Sequence, residues 1–258
     1  MTLPYGPGEV DAVLFDLDDV FVPLRTPGSW QWAWRPQGPI LGERRVRAAV
    51  RRSVKAWDHR RWLGLTHKEP PADVEALRLH LAATLAAIAG HPLPAEESEA
   101  VVRRILHPAG EVETFPDVAP ALERLRRAGI RIGVATELPR DAAVWLLHRT
   151  GHPDSILCGA ADPGPPGLPD RSAFRAAVER LGSTVDRTVF VGDLYWSDVR
   201  AASRAGLPSI LLDRHDAWPK VQHGRLTSLE ALEATLARGP APPGSAESAE
   251  GAEPAAPD

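Results

Sequence analysis

Two short apolar runs in this chain each end in closely spaced carboxylates. The first is VLFDLD at residues 13–18, and the second is VFVGD at residues 189–193, followed by a further acid at Asp198. Burying a carboxylate without a compensating partner costs several kcal/mol. Two strand ends that carry several acids therefore indicate a shared acidic site for a divalent metal ion.

Short apolar segments alternate with amphipathic helical patterns over residues 10–22 and 112–238. Segments this short and apolar are typical of parallel strands that are covered on both faces. The alternation predicts an α/β fold with a Rossmann-like, doubly wound parallel sheet. Ligands of such sheets bind beyond the carboxyl ends of the strands, where Asp16 and Asp193 fall. The predicted strands are Val10–Phe15, Ile130–Ala135, Ser155–Cys158, Thr188–Val191 and Ser209–Leu212.

Capping residues and glycines mark the ends of several predicted helices. Asp117 is expected to cap a helix that Gly129 ends, and Gly182 is expected to end another helix. Thr227 and Glu230 have the spacing of a capping box ahead of a third helix.

Residues 23–111 interrupt the alternation with helical patterns and no convincing strand. Three helices are predicted there, over about 40–62, 71–90 and 95–106. We expect this inserted block to cover the acidic site as an α-helical cap domain. The predicted domains are thus a core of residues 1–22 and 112–238, a helical cap of residues 23–111 and a disordered tail of residues 239–258, which lacks aromatic and β-branched residues.

Composition narrows the class of protein. The formal net charge of −4 gives no reason to expect a nucleic-acid partner, and no apolar stretch approaches the roughly 20 residues that cross a bilayer. The first residues lack the basic and apolar regions of a signal peptide. The single cysteine, Cys158, is consistent with a reducing compartment, so we expect a cytoplasmic protein with no membrane partner. The sequence does not specify an oligomeric state.

The acidic strand ends have the chemistry of a magnesium site. Carboxylate oxygens are hard ligands suited to Mg²⁺, which also retains waters and binds substrate phosphate oxygens. Asp16 and Asp18 are two apart on an extended segment and so point the same way. One can attack while the other carries protons, which suits an aspartyl-phosphate mechanism. The competing interpretation is an ordinary strand-end turn, where Asp is common.

Three motifs in this order resemble those of the haloacid dehalogenase superfamily. FDLDDV at residues 15–20 resembles its first motif, an Asp-x-Asp sequence. VATELP at residues 134–139, with Thr136 after a strand, is similar to the second, and GDLYWSD at residues 192–198 is similar to the fourth. The resemblance covers roughly residues 10–214, and the insertion resembles the helical C1 cap of the phosphatase-type members.

The resemblance implies a Mg²⁺-dependent phosphohydrolase that acts on a small phosphorylated metabolite through an aspartyl-phosphate. Asp16 would be the nucleophile and a metal ligand. Asp18 would be the general acid and then the base, with its backbone carbonyl on the metal. Thr136 would bind the transferring phosphoryl group. Asp193 and Asp198 would complete the metal site, Asp193 as a ligand directly or through water and Asp198 as support for that shell.

The third motif departs from the family pattern, because Leu168 stands where a Lys is expected. Losing one charge-stabilising contact typically costs about 10²–10³ in rate. Arg171 is the predicted phosphate-binding replacement and Arg140 an alternative, whereas Arg171 as a solvated helix residue is the competing interpretation. Glu137 adds a negative group close to the site.

Two other functions remain open at this stage. A degenerate family member would bind a phosphorylated ligand or a partner without turnover, and Leu168 favours this alternative. A 2-haloacid dehalogenase would attack carbon with its first Asp, but Asp18, Asp193 and Asp198 favour phosphoryl chemistry. Thr136 has the simpler alternative of being a helix N-cap.

Overall fold

The described part of the chain contains one parallel six-stranded sheet. The computed structural model describes residues 10–23, 43–65, 74–106, 114–136, 140–149, 151–152, 156–158, 171–221 and 224–237. The strands lie in the order β3-β2-β1-β4-β5-β6, so β1 is central. Their bounds are β1 Ala12–Phe15, β2 Arg131–Ala135, β3 Ile156–Cys158, β4 Thr188–Gly192, β5 Ser209–Leu212 and β6 Arg225–Leu226.

All five predicted strands form, and the α/β parallel sheet is confirmed. The sixth strand, β6, was not predicted. It pairs with β5 through only two residues, Arg225 opposite Leu211 and Leu226 opposite Leu212. A strand of two residues that includes an arginine has no apolar run or alternation by which a sequence pattern could reveal it.

Helices cover the sheet and fill the insertion between β1 and β2. The turn before β4 at Val185–Arg187 and the turn at Leu229–Ala231 are 3₁₀-helical, and Tyr195–Arg200 forms a π-helical turn. The α-helices are α1 Glu43–Leu65, α2 Val74–Ala89, α3 Ala95–Leu106, α4 Val118–Arg127, α5 Arg140–Arg149, α6 Arg171–Arg180, α7 Ala201–Ala205 and α8 Leu232–Ala237.

Alternate side chains of the central strands enter two different apolar clusters. Val13 and Phe15 of β1 pack in a cluster with residues of α4, α5 and α8, whereas Ala12 and Leu14 pack in a cluster with residues of α6 and α7. This alternation follows from the two-residue period of a strand. Both faces of the sheet are therefore covered by helices, which is the doubly wound arrangement expected from the sequence.

The three inserted helices form a third apolar cluster that includes core residues. Val54 and Trp57 of α1 share it with Leu194 and Val199, which lie after β4. The helices lie close to the predicted ranges, and the third matches at 95–106. The predicted boundaries of a separate cap domain remain a prediction, and the predicted tail lies outside the described residues. No described helix is long and apolar enough to cross a membrane.

Asp117 occupies the predicted N-cap position of α4 but does not act as a side-chain cap, and the residue before the Leu229–Ala231 turn is Ser228, not the predicted Thr227. The Asp117 side chain makes no capping bond to α4 and instead binds Arg214 at 2.8 and 3.0 Å and the backbone N–H of Leu229 at 2.7 Å. A buried guanidinium is a stronger partner for a carboxylate than a neutral N–H of the local helix. Asp117 thus supplies the hydrogen bond at the turn where the Thr227–Glu230 capping box was expected, and Ser228 makes no side-chain cap there.

Candidate active site

The nucleophile candidate Asp16 follows the central strand directly. Phe15 of β1 is opposite Val134 of β2 on one side and Val191 of β4 on the other. The backbone N–H of Asp16 donates to the carbonyl of Val191 at 2.9 Å, so strand pairing continues up to this residue. The register therefore fixes the backbone of Asp16 at the carboxyl edge of the sheet, where parallel strands place ligand sites.

The structure brings Asp16, Asp193 and Asp198 together, and we call these three residues the acidic triad. One carboxylate oxygen from each lies within 4.8 Å of the others. Asp16 is half-buried, whereas Asp193 and Asp198 are buried. Three like charges so close together repel one another, and a divalent cation removes that repulsion. Hard carboxylate oxygens are also the donors that Mg²⁺ prefers, so the residues present fit this metal.

Gly192 makes room for the approach of Asp198. A Cβ atom on Gly192 would lie 2.7 Å from the Cβ of Asp198, 2.9 Å from its Oδ2 and 2.7 Å from Cε1 of Phe190. Real Cβ atoms essentially never approach other heavy atoms this closely. The glycine of the GDLYWSD motif is thus required by its packing against the side chain of Asp198.

Asp198 lies in a π-helical turn, a form that is rare and frequent at functional sites. Val199 N–H donates to the carbonyl of Leu194 at 3.1 Å, which is the i to i−5 bond that defines the turn. The N–H of Leu194 in turn donates to Oδ2 of Asp198 at 3.1 Å. This bond fixes one carboxylate oxygen of Asp198 against the loop that carries Asp193.

Asp18 is on a tight turn immediately after Asp16. Phe21 and Val22 N–H groups donate to the carbonyl of Leu17 at 3.0 and 3.3 Å, and Asp19 adopts a positive φ of 54°. The Asp18 side chain is half-buried, and its carboxylate is not a member of the acidic triad. Its predicted contribution to the metal is through its backbone carbonyl, and this remains a prediction.

Arg214 supports the turn that carries Asp18. Its guanidinium donates to the carbonyls of Asp19 at 3.2 Å and Val20 at 3.0 Å, while it forms the buried ion pair with Asp117. The centre of the Phe115 ring lies 3.9 Å from the guanidinium carbon. This role was not predicted, since an arginine shortly after a strand carries no distinctive signal in the sequence.

Asp58 of α1 is a second supporting residue that was not predicted from the sequence. Its side chain is fully buried and accepts hydrogen bonds from the N–H groups of Trp196 and Ser197, both at 2.8 Å, and from the Ser197 hydroxyl at 3.0 Å. Burial is the main cause that raises the pKa of Asp58 to about 6; the hydrogen bonds oppose this rise and the charge of Asp198 adds to it. The only signal in the sequence was an acid four residues after Val54, on the apolar face of the helix.

Thr136 and the two candidate arginines, Arg171 and Arg140, lie at the ends of three different elements. Thr136 directly follows β2, next to β1, and is buried. Arg171 and Arg140 are the first residues of α6 and α5, and both are exposed. Burial and then the positive charges of Arg200 and Arg171 lower the pKa of Arg204, so Arg171 is near other cations. Its role as a phosphate ligand remains a prediction, and Leu168 lies outside the described residues.

A parallel α/β sheet with a helical insertion after β1 and an acidic triad at its carboxyl edge defines a hydrolase of the haloacid dehalogenase type. The model of the haloacid dehalogenase-like hydrolase family matches residues 10–206, and the chain belongs to this family.

Known proteins similar to this chain include phosphatases. It is 33% identical over 132 residues to the phosphoglycolate phosphatase of Caulobacter vibrioides, covering 49% of this chain and 55% of that protein. It is 27% identical over 221 residues to the phosphoglycolate phosphatase of Salmonella typhi, covering 78% and 80%. The chain spans about half the length of the first curated relatives it matches.

The fold is also found in solved structures. The Bacillus subtilis HAD-hydrolase YfnB, crystallised with bound magnesium, superposes with a TM-score of 0.62 at 17% identity and covers 88% of this chain and 98% of that one. At this identity the likeness shows the fold alone.

Proposed function

We propose that this protein is a Mg²⁺-dependent phosphohydrolase that cleaves the phosphomonoester of a small metabolite through an aspartyl-phosphate on Asp16. The observation that carries this proposal is the acidic triad, which unites the ends of the adjacent strands β1 and β4. The similarity to phosphoglycolate phosphatases supports phosphoryl chemistry and suggests a small phosphorylated acid as substrate.

The residues that would hold Mg²⁺ are the acidic triad and the backbone carbonyl of Asp18. When bound, the metal supplies positive charge that neutralises the phosphoryl oxygens and lets an anionic nucleophile approach an anionic substrate. The triad fits this task because its three oxygens lie within 4.8 Å of one another on buried or half-buried residues.

In the first half-reaction, a carboxylate oxygen of Asp16 attacks phosphorus. The new bond joins this oxygen to phosphorus as the bond from phosphorus to the ester oxygen breaks. Asp18 gives its proton to the departing ester oxygen, which leaves as an alcohol. The hydroxyl of Thr136 donates a hydrogen bond to the phosphoryl group in transit.

In the second half-reaction, Asp18 acts as a base. It takes a proton from a water molecule that attacks the aspartyl-phosphate, and phosphate and free Asp16 are released. The turn after β1 suits Asp18 to both roles, because it holds this residue only two positions from the nucleophile and is itself fixed by Arg214.

Because Leu168 stands where a lysine is expected, another residue must supply the positive charge that the lysine would bring to the phosphoryl group. We propose Arg171, at the start of α6, as the cation that contacts the phosphoryl group. A guanidinium has a different shape and reach from an ammonium group, so a lower rate than that of relatives with the lysine is expected.

The test is phosphate release by the purified chain from a panel of small phosphomonoesters that includes 2-phosphoglycolate. We expect release that requires Mg²⁺ and is abolished in Asp16→Asn. Asp186→Asn is the matched control, because Asp186 is exposed on the turn before β4, at the opposite edge of the sheet.

Two results would replace the proposal with an alternative. Halide release from a 2-haloacid without Mg²⁺ would show dehalogenase chemistry instead. Asp16-dependent binding of beryllofluoride with Mg²⁺, measured as a rise in melting temperature but without turnover on any ester, would show a degenerate member that only binds.

A further inference from the structure

One residue of the inserted helix α1 makes direct polar contacts with the segment after β4, which carries Asp193 and Asp198 of the acidic triad. Asp58 lies 138 positions before Trp196 in the sequence, yet its carboxylate accepts three hydrogen bonds from Trp196 and Ser197. The side chain is fully buried, so these partners replace its hydration. A buried charge with this many donors has a defined position and fixes the groups that bind it.

Two of the three donors are backbone N–H groups that the turn itself leaves unsatisfied. The first N–H groups of any helical turn have no acceptor within it, and the partial positive charge at this end favours an anion. Trp196 and Ser197 are the second and third residues of the Tyr195–Arg200 turn. Asp58 therefore caps this turn from outside, since Leu194, which precedes the turn, makes no side-chain cap.

The capped turn determines the position of Asp198. The Ser197 hydroxyl lies 3.0 Å from Oδ1 of Asp58 and 3.4 Å from Oδ1 of Asp198. Because a hydroxyl has one hydrogen, the shorter contact is its hydrogen bond, and the serine is held towards Asp58. Asp198 is the next residue, and its other oxygen accepts the N–H of Leu194. A shift of the turn would move Asp198 relative to Asp16.

Apolar contacts hold α1 in the position from which Asp58 acts. Val54 and Trp57, on the same helix, pack in one cluster with Leu194, which precedes the turn, and Val199, which lies within it. The ammonium group of Lys55 also lies 5.0 Å from the ring centre of Trp218 in that cluster. The described part of α1 is thus docked on the core around the turn by apolar packing, and Asp58 adds the polar contact.

We propose that Asp58 is a positioning residue for the metal site, so that the inserted helix α1 as well as the sheet sets the geometry of the acidic triad. This proposal rests on the proposed function, because it treats the triad as the Mg²⁺ site. Asp58 acts through the turn and through Ser197, and does not touch the metal or the substrate.

The test compares Mg²⁺ affinity, measured by calorimetry without substrate, in wild type, Asp58→Ala and Ser53→Ala. Ser53 is the matched control: it is on the same helix and hydrogen-bonds His80 and Thr84 at 2.7 Å, contacts that lie within the insertion. We expect Asp58→Ala to weaken Mg²⁺ binding by about 10–100-fold, as loss of an outer support of a metal site typically does. Ser53→Ala is expected to lower the melting temperature and leave Mg²⁺ affinity within about twofold of wild type.

A second variant covers the case in which Asp58→Ala does not fold. Asp58→Asn keeps the size and one acceptor oxygen, but its amide NH₂ opposes one of the two backbone N–H donors. We expect it to fold and to weaken Mg²⁺ binding by about 10-fold. Equal Mg²⁺ affinities in the folded Asp58 variant and in Ser53→Ala would overturn the proposal.

The same measurement separates this proposal from the proposed function. A wild-type chain that binds Mg²⁺ but hydrolyses no ester would contradict the phosphohydrolase, while the Asp58 variants would still decide the positioning role. A wild-type chain that does not bind Mg²⁺ would overturn both.

Discussion

Gly192 and Asp198 are so close that a methyl group on the glycine would lie 2.7 Å from the Cβ of the aspartate. The strand that ends at Gly192 and the turn that contains Asp198 therefore meet without space for any side chain. The same strand delivers Asp193 to the acidic triad. The close approach of these two residues thus sets the distance between two of the three acids.

Gly192→Ala tests this relationship. Relief of the clash must move the turn, so we expect loss of Mg²⁺ binding, a fall in turnover of about 10²-fold, and a loss of about 1–3 kcal/mol in the free energy of unfolding from overpacking. The measurements are calorimetry and urea unfolding. Gly129→Ala is the control, because its positive φ of 74° makes alanine cost about 1–2 kcal/mol with no contact to the site. Unchanged Mg²⁺ affinity in Gly192→Ala would contradict the account.

The Arg214–Asp117 ion pair is expected to be a major contributor to stability. Both side chains are at least nine-tenths buried, and removal of one partner leaves a buried charge unpaired. We expect Arg214→Ala to lower the free energy of unfolding by about 3–5 kcal/mol in urea unfolding at neutral pH. The exposed Arg127–Glu123 pair provides the comparison: Arg127→Ala should cost less than about 1 kcal/mol. Similar losses of unfolding free energy in the two variants would show that the buried ion pair stabilises the fold no more than the exposed pair does.

The contribution of His152 to the free energy of unfolding should fall in mild acid. Burial, followed by the positive charge of Arg126, lowers the pKa of His152 below its ordinary value. The unfolded chain then binds this proton more readily, so stability is complete above about pH 6.5 and is lost as pH falls through the lower folded-state pKa. Phenylalanine keeps the edge contact that His152 makes with Phe21 at 5.8 Å between ring centres.

As the pH falls below about 6.5, we therefore expect the free energy of unfolding of wild type to decrease relative to that of His152→Phe. Protonation of Asp58, whose pKa is raised to about 6, adds stability in both chains and so cancels in this comparison. The control is His148→Gln, on the exposed part of α5. The same dependence of the unfolding free energy on pH in wild type and in His152→Phe would show that other groups cause the sensitivity to acid.

Arg171 and position 168 test where the missing positive charge comes from. If Arg171 contacts the phosphoryl group, Arg171→Ala should lower kcat/KM by about 10²-fold, whereas Arg175→Ala, one turn further along α6 and exposed, should have little effect. Leu168→Lys restores the family pattern and should raise the rate of the Arg171→Ala variant. Equal rates in the two arginine variants would show that Arg171 is only a solvated helix residue.

The acidic triad could be predicted from the sequence because its members follow strands, and parallel strands end at one edge of the sheet. This rule alone is sufficient to predict that Asp16 and Asp193 lie close together. Asp58 could not be predicted, because its role depends on how α1 docks against a turn 138 residues later. The Asp117 side chain does not cap α4 for a related reason: a distant arginine, Arg214, is a stronger partner than the local backbone. Local sequence patterns predicted the strands and helices, whereas contacts between residues far apart in the chain determine the partners of Asp58 and Asp117.

The most direct test of the central claim is mass spectrometry of the acid-quenched Asp18→Ala variant after mixing with Mg²⁺ and p-nitrophenyl phosphate. This ester has a good leaving group and needs no general acid, while the missing base slows hydrolysis of the intermediate. We predict a phosphoryl group on the peptide that contains Asp16, present only with Mg²⁺ and absent when Asp16→Asn is added. No phosphorylated peptide, or one that persists without Asp16, would contradict it.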